Sequence, residues 1–265
     1  MKRRHFLRVV AAAGAGAAVG GVSWGLHERN SLGVTTATLP VDGLPSEFKG
    51  FKIALLTDLH RSALVSADLI DRAVSTTLAA RPDVIVLGGD YVTNFDARFA
   101  GPVAEALGRL TAPAGVIAVL GNHDDERVVP AALASQRIRV LREQRMRIEM
   151  GGRALDFVGI SYWTRGAARI RPLIDRDATP VLVAHDPRRL AEAEELSIPL
   201  VLSGHTHGGQ VVVPPFGPIN RFRFPITQGT LRRNGSTLFV SRGVGTIYLP
   251  VRVNCPPEVA VLTLA

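Results

Sequence analysis

The sequence is most restrictive in what it lacks. Only one of its 265 residues is cysteine, Cys255, so no intrachain disulfide and no thiolate metal cluster can form. Cys255 stands in Asn254-Cys255-Pro256-Pro257 just before a final apolar stretch and reads as a packed, inert thiol. Lysine is scarce beyond the first ten residues, and the basic residues there are nearly all arginine. They lie in short groups such as Arg137, Arg139, Arg142, Arg145 and Arg147, which suits a solvated face or an anion-attracting surface near a phosphate site. No concentrated basic stripe and no appended capping domain is visible, so no nucleic-acid partner is expected. There is no internal repeat. With 46% hydrophobic and 20% charged residues, the chain can bury a sizeable core and is not of disordered composition.

The net charge is +8, and half of that excess comes from Lys2, Arg3, Arg4 and Arg8. The start, MKRRHFLR, sets two arginines directly before an uncharged Ala/Gly/Val run that extends to about Leu26. This resembles a twin-arginine export signal. The run approaches the ~20 residues that span a bilayer, but alanine and glycine make it weakly hydrophobic, which favours a signal over a stop-transfer helix. A membrane anchor or a buried helix is the other reading, and no A-x-A processing site stands at the expected end of the run, which leaves cleavage open. The expected organisation is a signal or anchor over 1–30, a linker and lead-in strand over 31–49, and one folded domain over 50–265.

From Phe51 onward, apolar runs of strand length alternate with helix-like stretches, the pattern of a layered α/β fold. Strands are predicted at Lys52 to Thr57, Val84 to Gly88, Val116 to Leu120, Val181 to Ala184 and Leu200 to Ser203. Helical periodicity marks Ala67 to Ala79, Pro102 to Leu110 and Pro187 to Leu196. After Gly204 the pattern changes to short strands with Gly, Pro and Asn turns: Gln210 to Val213, Gly229 to Arg232, Thr237 to Ser241 and Val259 to Leu264. With Arg147 to Gly151 and Arg153 to Ile160, these point to mixed or antiparallel pairing in a second sheet. The expected architecture is a four-layer α/β/β/α sandwich of two mixed sheets.

Each predicted strand runs into a polar group that can hold a metal. The endings are Asp58-Leu59-His60, Gly88-Gly89-Asp90, Gly121-Asn122-His123-Asp124, His185, and Gly204-His205-Thr206-His207. Carboxyl ends of strands line the ligand crevice in open α/β sheets, so these groups can converge across 150 positions of sequence. Carboxylates, an amide oxygen and imidazoles without sulfur suit hard-to-borderline divalent ions. The i, i+2 spacing of Asp58 with His60 and of His205 with His207 would place both members of each pair on one side of an extended strand end. Five of the seven histidines fall at these endings; His5 and His27 are the others. Taken singly each block is ordinary turn chemistry, and it is their order and shared position that carry the signal.

In that order the blocks D-x-H, G-D, G-N-H-[DE], a later His and G-H-x-H resemble the calcineurin-like metallophosphoesterases over residues 50–265. The stretches Leu202 to Gln210 and Ser241-Arg242-Gly243-Val244-Gly245 are similar to an exported bacterial phosphodiesterase subgroup of that family. The resemblance implies a phosphoesterase, most simply a phosphodiesterase, with two divalent ions (Mn, Fe or Zn, Mn favoured). It implies that Asp58, His60 and His207 hold one ion, that Asn122, His185 and His205 hold the other, and that Asp90 bridges them. Paired ions of this kind position a bridging hydroxide for in-line attack on phosphorus. The implied role of His123 is to protonate or hydrogen-bond the leaving oxygen, with Asp124 orienting its imidazole and favouring the protonated form.

One departure from the family pattern is Arg61-Ser62 after the first block, where many relatives have glycine; Arg61 is a candidate phosphate contact. Arg221 and Arg223, within the Pro214 to Gly229 lip, are further substrate candidates, and Tyr162, Trp163, Ile247 and Tyr248 are candidate rim residues. Export would make the substrate a cell-envelope ester, lipid or cell-wall linked. It would make the twin-arginine machinery a partner, with the enzyme periplasmic or anchored facing outward. Two other readings compete: a non-catalytic scaffold of the same fold, which the filled ligand positions oppose, and a nuclease.

Overall fold

The computed structural model describes residues 20–218 and 220–265. The twin-arginine block and the run up to residue 19 lie outside the described residues. Along the chain, α1 (20–28) precedes β1 (Gly33–Leu39) and β2 (Lys52–Leu56). Three crossovers follow: α2 (Ala67–Ala79) to β3 (Val84–Leu87), α3 (Ala100–Leu107) to β4 (Val116–Ala118), and α4 (Val128–Ser135) to β5 (Arg139–Val140). A hairpin of β6 (Gln144–Met150) and β7 (Arg153–Gly159) leads through α5 (Ala167–Ile170) to β8 (Thr179–Val183), and α6 (Leu190–Glu195) leads to β9 (Leu200–Ser203). A small ribbon, β10 (Val212–Val213) with β11 (Gly217–Pro218), comes before the hairpin β12 (Gly229–Arg233) and β13 (Ser236–Val240); β14 (Glu258–Leu264) is last.

These strands form two six-stranded mixed sheets, ordered β1-β14-β2-β3-β4-β5 and β12-β13-β9-β8-β7-β6. The alternation within each strand explains the layers. Ile53, Leu55, Val84 and Val86 face Phe157, Val183, Leu202 and Phe239 across the space between the sheets. Their neighbours Ala54, Leu56, Ile85 and Leu87 face the other way, onto Leu69, Ala73, Val103 and Leu107 of α2 and α3. Val158, Leu182 and Val201 on the outer face of the second sheet meet Leu190 and Ala193 of α6. The central strands are apolar on both faces because each face is covered, so their sequences read as runs without alternation. The four layers are those expected from the sequence.

Local signals account for the edges of several elements. Ser66 accepts a hydrogen bond from the Leu69 amide at 3.2 Å and caps α2, whose Leu69, Ile70, Ala73, Val74 and Thr77 form its buried stripe. The β12–β13 turn uses Asn234 and Gly235, both at positive φ (48° and 79°), as a two-residue hairpin with strand-matching twist requires.

Three expectations are corrected. The last strand does not join the second sheet: β14 inserts into the first, antiparallel to β2 and parallel to β1. Of the stretch Gln210 to Val213, only Val212–Val213 is strand, and it pairs with β11 outside both sheets. The chain also enters the domain before residue 30. The Arg252 amide donates to Gly25 O at 3.0 Å, and the buried Glu28 carboxylate accepts the Asn254 and Cys255 amides at 3.0 and 2.6 Å. Among the described residues no helix is long and apolar enough to cross a membrane.

Candidate metal centre

The loops after β2, β3, β4, β8 and β9 meet at one end of the sandwich, where the two sheets present their carboxyl ends together. Asp58 N–H bonds Gly89 O and His60 N–H bonds Asp90 O, both at 2.9 Å, so the first two loops continue side by side beyond their strands. The extended backbone expected for the i, i+2 pairs is not what the structure shows. Asp58, His60, Asp90, His205 and His207 all have left-handed φ, between 48° and 72°. Such conformations cost of order 1–3 kcal/mol each outside glycine and persist where surrounding contacts impose them. Here they curl the backbone around the cavity, so that the His205 amide points at the Asp58 carboxylate at 3.0 Å and the His123 amide at Asp90 Oδ1 at 2.8 Å. Gly121 and Gly204 lie so close to the Asp90 and Asp58 carboxylates that any Cβ there would collide with them.

Two ligand groups result. Asp58, His60 and His207 form one and Asp90, His185 and His205 the other, each with potential ligand atoms within 4.8 Å of one another. Asp90 Oδ2 lies 3.4 Å from His60 Nε2 and 3.2 Å from His185 Nε2, so its carboxylate reaches both groups. His185 Nδ1 is 2.7 Å from Gly88 O and His60 Nδ1 is 3.2 Å from Thr93 Oγ1. These contacts aim both Nε2 atoms inward, the outer-shell arrangement that orients imidazole ligands.

The residues fit a pair of cations. Asn122 Oδ1 is buried with no hydrogen-bond partner, and the Nε2 atoms of His60 and His207 face each other at 3.1 Å. Two imidazole nitrogens at that distance need a shared proton or a shared cation. Electrostatics agree. Burial raises the Asp58 carboxyl. Burial also disfavours charge on Asp90 and His185, but their mutual attraction outweighs it, holding Asp90 well below the usual carboxylate range and lifting His185 to about 10. Burial and the His185 charge push His205 down to about 3, and burial with neighbouring His60 lowers His207 well below its ordinary value. Asp90 thus keeps its charge and His205 and His207 stay neutral, the protonation states that metal ligands need, whereas His185 would give up its proton to a bound cation.

Asp124 does something other than expected. It is buried beneath the site, and its carboxylate accepts the amides of Asp90, Tyr91 and Gly121 at 2.8, 2.8 and 2.9 Å; no hydrogen bond joins it to His123. It clamps the Asp90 loop to the Asn122 loop, while burial and the Asp90 charge lift its carboxyl to about 6. The His123 imidazole is oriented by backbone instead: its Nδ1 accepts the Asn94 N–H at 3.2 Å. An acceptor Nδ1 places the proton on Nε2 in the neutral ring, and burial lowers the pKa of this imidazole, the opposite of a ring held protonated by Asp124.

A cleft of about 360 Å³ opens over the site, bounded by Asn122, His123, His205, Arg223, Phe224 and Tyr248. Tyr162 and Phe224 pack against the His205 ring at 5.3 and 5.4 Å between centroids, and Tyr248 lies 6.4 Å from His123. Of the three arginines nominated from sequence, Arg223 lines the cleft. Arg61 does not: its guanidinium turns back to Ser62 O and Val65 O and covers the Phe99 ring. Arg221 bonds Phe216 O and stacks on Phe222, outside the cleft. None of the Arg137 to Arg147 group lines it: Arg142 pairs with Glu126, and Arg145 and Arg147 pair with Asp156 and Asp175 at the outer edge of the second sheet.

Sequence reasoning missed the supports behind Asp58 and His207. Arg252 is fully buried and donates to the carbonyls of Arg242, Gly243, Gly245 and Cys255. The loop it holds reaches Thr57 O and Asp58 O through the amides of Val244 and Gly245, at 3.1 and 2.7 Å. The Cys255 thiol, buried and raised in pKa by that burial, bonds His207 O at 3.2 Å. A lone arginine in the apolar stretch Tyr248 to Pro257 is the one signal that could have exposed this arrangement.

Residues 51–209 match the calcineurin-like phosphoesterase family. The chain is 33% identical to "Phosphodiesterase YaeI" of Escherichia coli over 81% of its own length and 82% of that protein's. It is 29% identical to "Uncharacterized metallophosphoesterase YkuE" of Bacillus subtilis, over 100% and 98% of the two chains. Among solved structures, the sulfate thiohydrolase SoxB of Thermus thermophilus shares the fold over 76% of this chain and 53% of that one, with TM-score 0.53 and 14% identity. The protein therefore belongs to the calcineurin-like phosphoesterases and is a metal-dependent phosphoester hydrolase, with the two ligand groups as its candidate sites for divalent ions.

Proposed function

We propose that the protein hydrolyses a phosphodiester of the cell envelope. The observation that carries the chemistry is the Asp90 carboxylate, within 3.4 Å of imidazoles from both ligand groups, which makes one dinuclear site of two triads. Asp58, His60 and His207 would hold one ion, Asn122, His185 and His205 the other, and Asp90 both. Bound there, two divalent ions polarise the phosphoryl group and lower the pKa of the attacking water. Nitrogen and oxygen donors without sulfur suit Mn, Fe or Zn, and manganese is the one favoured by the family resemblance.

This chain's own groups do the rest. His123 lines the cleft with its proton on Nε2 and donates that hydrogen bond to the departing oxygen. Because the Asn94 amide already occupies Nδ1, the neutral ring stabilises the departing oxygen as a hydrogen-bond donor and keeps its own proton, and that oxygen takes its proton from water. Arg223 supplies a cation at the rim, and the aromatic walls Tyr162, Phe224 and Tyr248 shield the reacting groups from bulk water. A diester is favoured over a monoester because the similar E. coli protein is named a phosphodiesterase. Export by the twin-arginine route, with the site facing outward in the periplasm or from a membrane anchor, is supported by MKRRHFLR and the apolar run behind it.

The test uses chelated protein supplied singly with Mn²⁺, Fe²⁺, Zn²⁺ or Mg²⁺ and assayed on bis- and mono-p-nitrophenyl phosphate. The expected result is turnover restored best by Mn²⁺ and faster on the diester. Bound Mn²⁺ with no turnover of either ester would reverse the proposal in favour of a non-catalytic scaffold.

A further inference from the structure

Exposed apolar side chains are not spread evenly over this protein. Of fourteen large ones that stand exposed among the described residues, eight fall in three short segments: 22–26, 213–222 and 248–249. Phe222 is 86% exposed, Tyr248 75%, Phe216 70% and Leu249 62%. Scattered exposed hydrophobics are normal, but a contiguous group marks an interaction surface.

The three segments adjoin one another. Gly25 of α1 lies against the backbone and side chains of Val251 to Val253, directly after Leu249. Val253 in turn bonds Gln210 and Val212 through its amide and carbonyl at 3.0 and 2.9 Å, leading into the β10–β11 ribbon. Val213, Phe216, Arg221 and Phe222 line one shallow depression on that ribbon. Tyr248 and Leu249 belong to this belt and to the wall of the cleft over the metal centre, so whatever covers the belt lies at the mouth of the site.

Charge selects the occupant. Residues 208–228 and 241–257 contain no aspartate or glutamate, whereas Arg221 and Arg223 are both exposed there. Arg221 lies 4.5 Å above the Phe222 ring, a pairing that keeps a cation at the level of an aromatic group. Aromatic and aliphatic side chains interleaved with arginine, without carboxylates, suit the boundary between acyl chains and anionic headgroups. The sequence that enters this corner at Gly20 is itself an Ala/Gly/Val run preceded by MKRR. We infer that this belt docks on an anionic lipid bilayer and sets the mouth of the cleft at the headgroup layer, where the substrate phosphodiester would be a lipid headgroup. The inference deepens the envelope-substrate reading, but docking is measured without turnover, so the two fail separately.

The experiment places an environment-sensitive fluorophore on Phe222→Cys, Leu249→Cys or, as control, Met150→Cys in the full chain. The buried native Cys255 stays unlabelled. Met150 ends β6, at the opposite end of the second sheet from the metal loops. Vesicles are equimolar phosphatidylglycerol and phosphatidylcholine, or phosphatidylcholine alone. With the anionic vesicles, emission at 222 and 249 should shift to the blue and become severalfold less quenchable by iodide, and position 150 should not change. Protein that sediments with vesicles while 222 and 249 stay fully quenchable would show a tether through residues 1–19 alone and overturn the inference. So would equal insertion into neutral vesicles, or no sedimentation. Phe216→Ser with Phe222→Ser should lose the shielding read at position 249 and keep turnover of bis-p-nitrophenyl phosphate; unchanged shielding counts against the belt.

Discussion

Asp90 and His123 are adjacent in space and differ in what their loss should do. Asp90→Asn weakens the carboxylate that stands closest to imidazoles of both ligand groups, so both ions should be lost on dialysis. His123→Ala should keep both ions and lose ~10²–10⁴-fold in turnover, the range for a missing hydrogen-bond donor to the leaving oxygen. Elemental analysis of dialysed protein beside a diester assay separates the two, and metal loss from His123→Ala would contradict its role. Asp124→Asn should behave as a structural change. It replaces an acceptor for buried backbone amides by a group that can donate, costing about 1–3 kcal/mol of stability in denaturant unfolding. The side chains that gather in the two candidate ligand groups were legible in the sequence because histidine is rare here and stands after apolar runs. The role of Asp124 was not, because its hydrogen-bond partners near Asp90 lie more than thirty positions away and are amides, which every residue carries.

At the scale of elements, the site depends on segments that look peripheral in sequence. Helix α1 lies within the stretch read as a signal or anchor, yet Glu28 caps the Asn254–Cys255 turn that sits behind His207. Glu28→Ala should leave two amides unsatisfied, lower unfolding stability by about 1–3 kcal/mol and weaken the ion at Asp58, His60 and His207 more than the other. Calorimetric titration with Mn²⁺ would show this as a loss confined to one of two binding events; equal weakening of both would count against it. The core strands β2, β3, β8 and β9 were readable to within two residues at either end, since each is an apolar run ending in glycine or a ligand. Strand β14 was readable as a strand but not in its place. An apolar segment of seven residues satisfies either sheet, and only the pairing with Lys52 to Leu55 distinguishes them. The left-handed turns at the ligands were equally hidden, because in aspartate and histidine that conformation is imposed by contacts from other loops.

The whole molecule brings five strand ends to one edge of a two-sheet sandwich and surrounds them with an aromatic and arginine rim. The export proposed above rests on a part of the chain that the proposed chemistry does not use. Arg3→Lys with Arg4→Lys should retain the protein in the cytoplasm, seen by cell fractionation, while the purified enzyme keeps its metal-dependent turnover; unchanged delivery would remove the export reading. The amino-acid sequence by itself determined the chemistry, because metal ligation needs particular donor atoms and their residue types stand in a recognisable order after apolar strands. It also determined the layering, because strands apolar on both faces demand cover on both. Only the tertiary structure decided which arginine faces the cleft, that Asp124 clamps the ligand loops together, and that Glu28 and Arg252 stand behind the ligands. Those are outcomes of distance and direction among residues up to 227 positions apart, and local patterning carries no record of them.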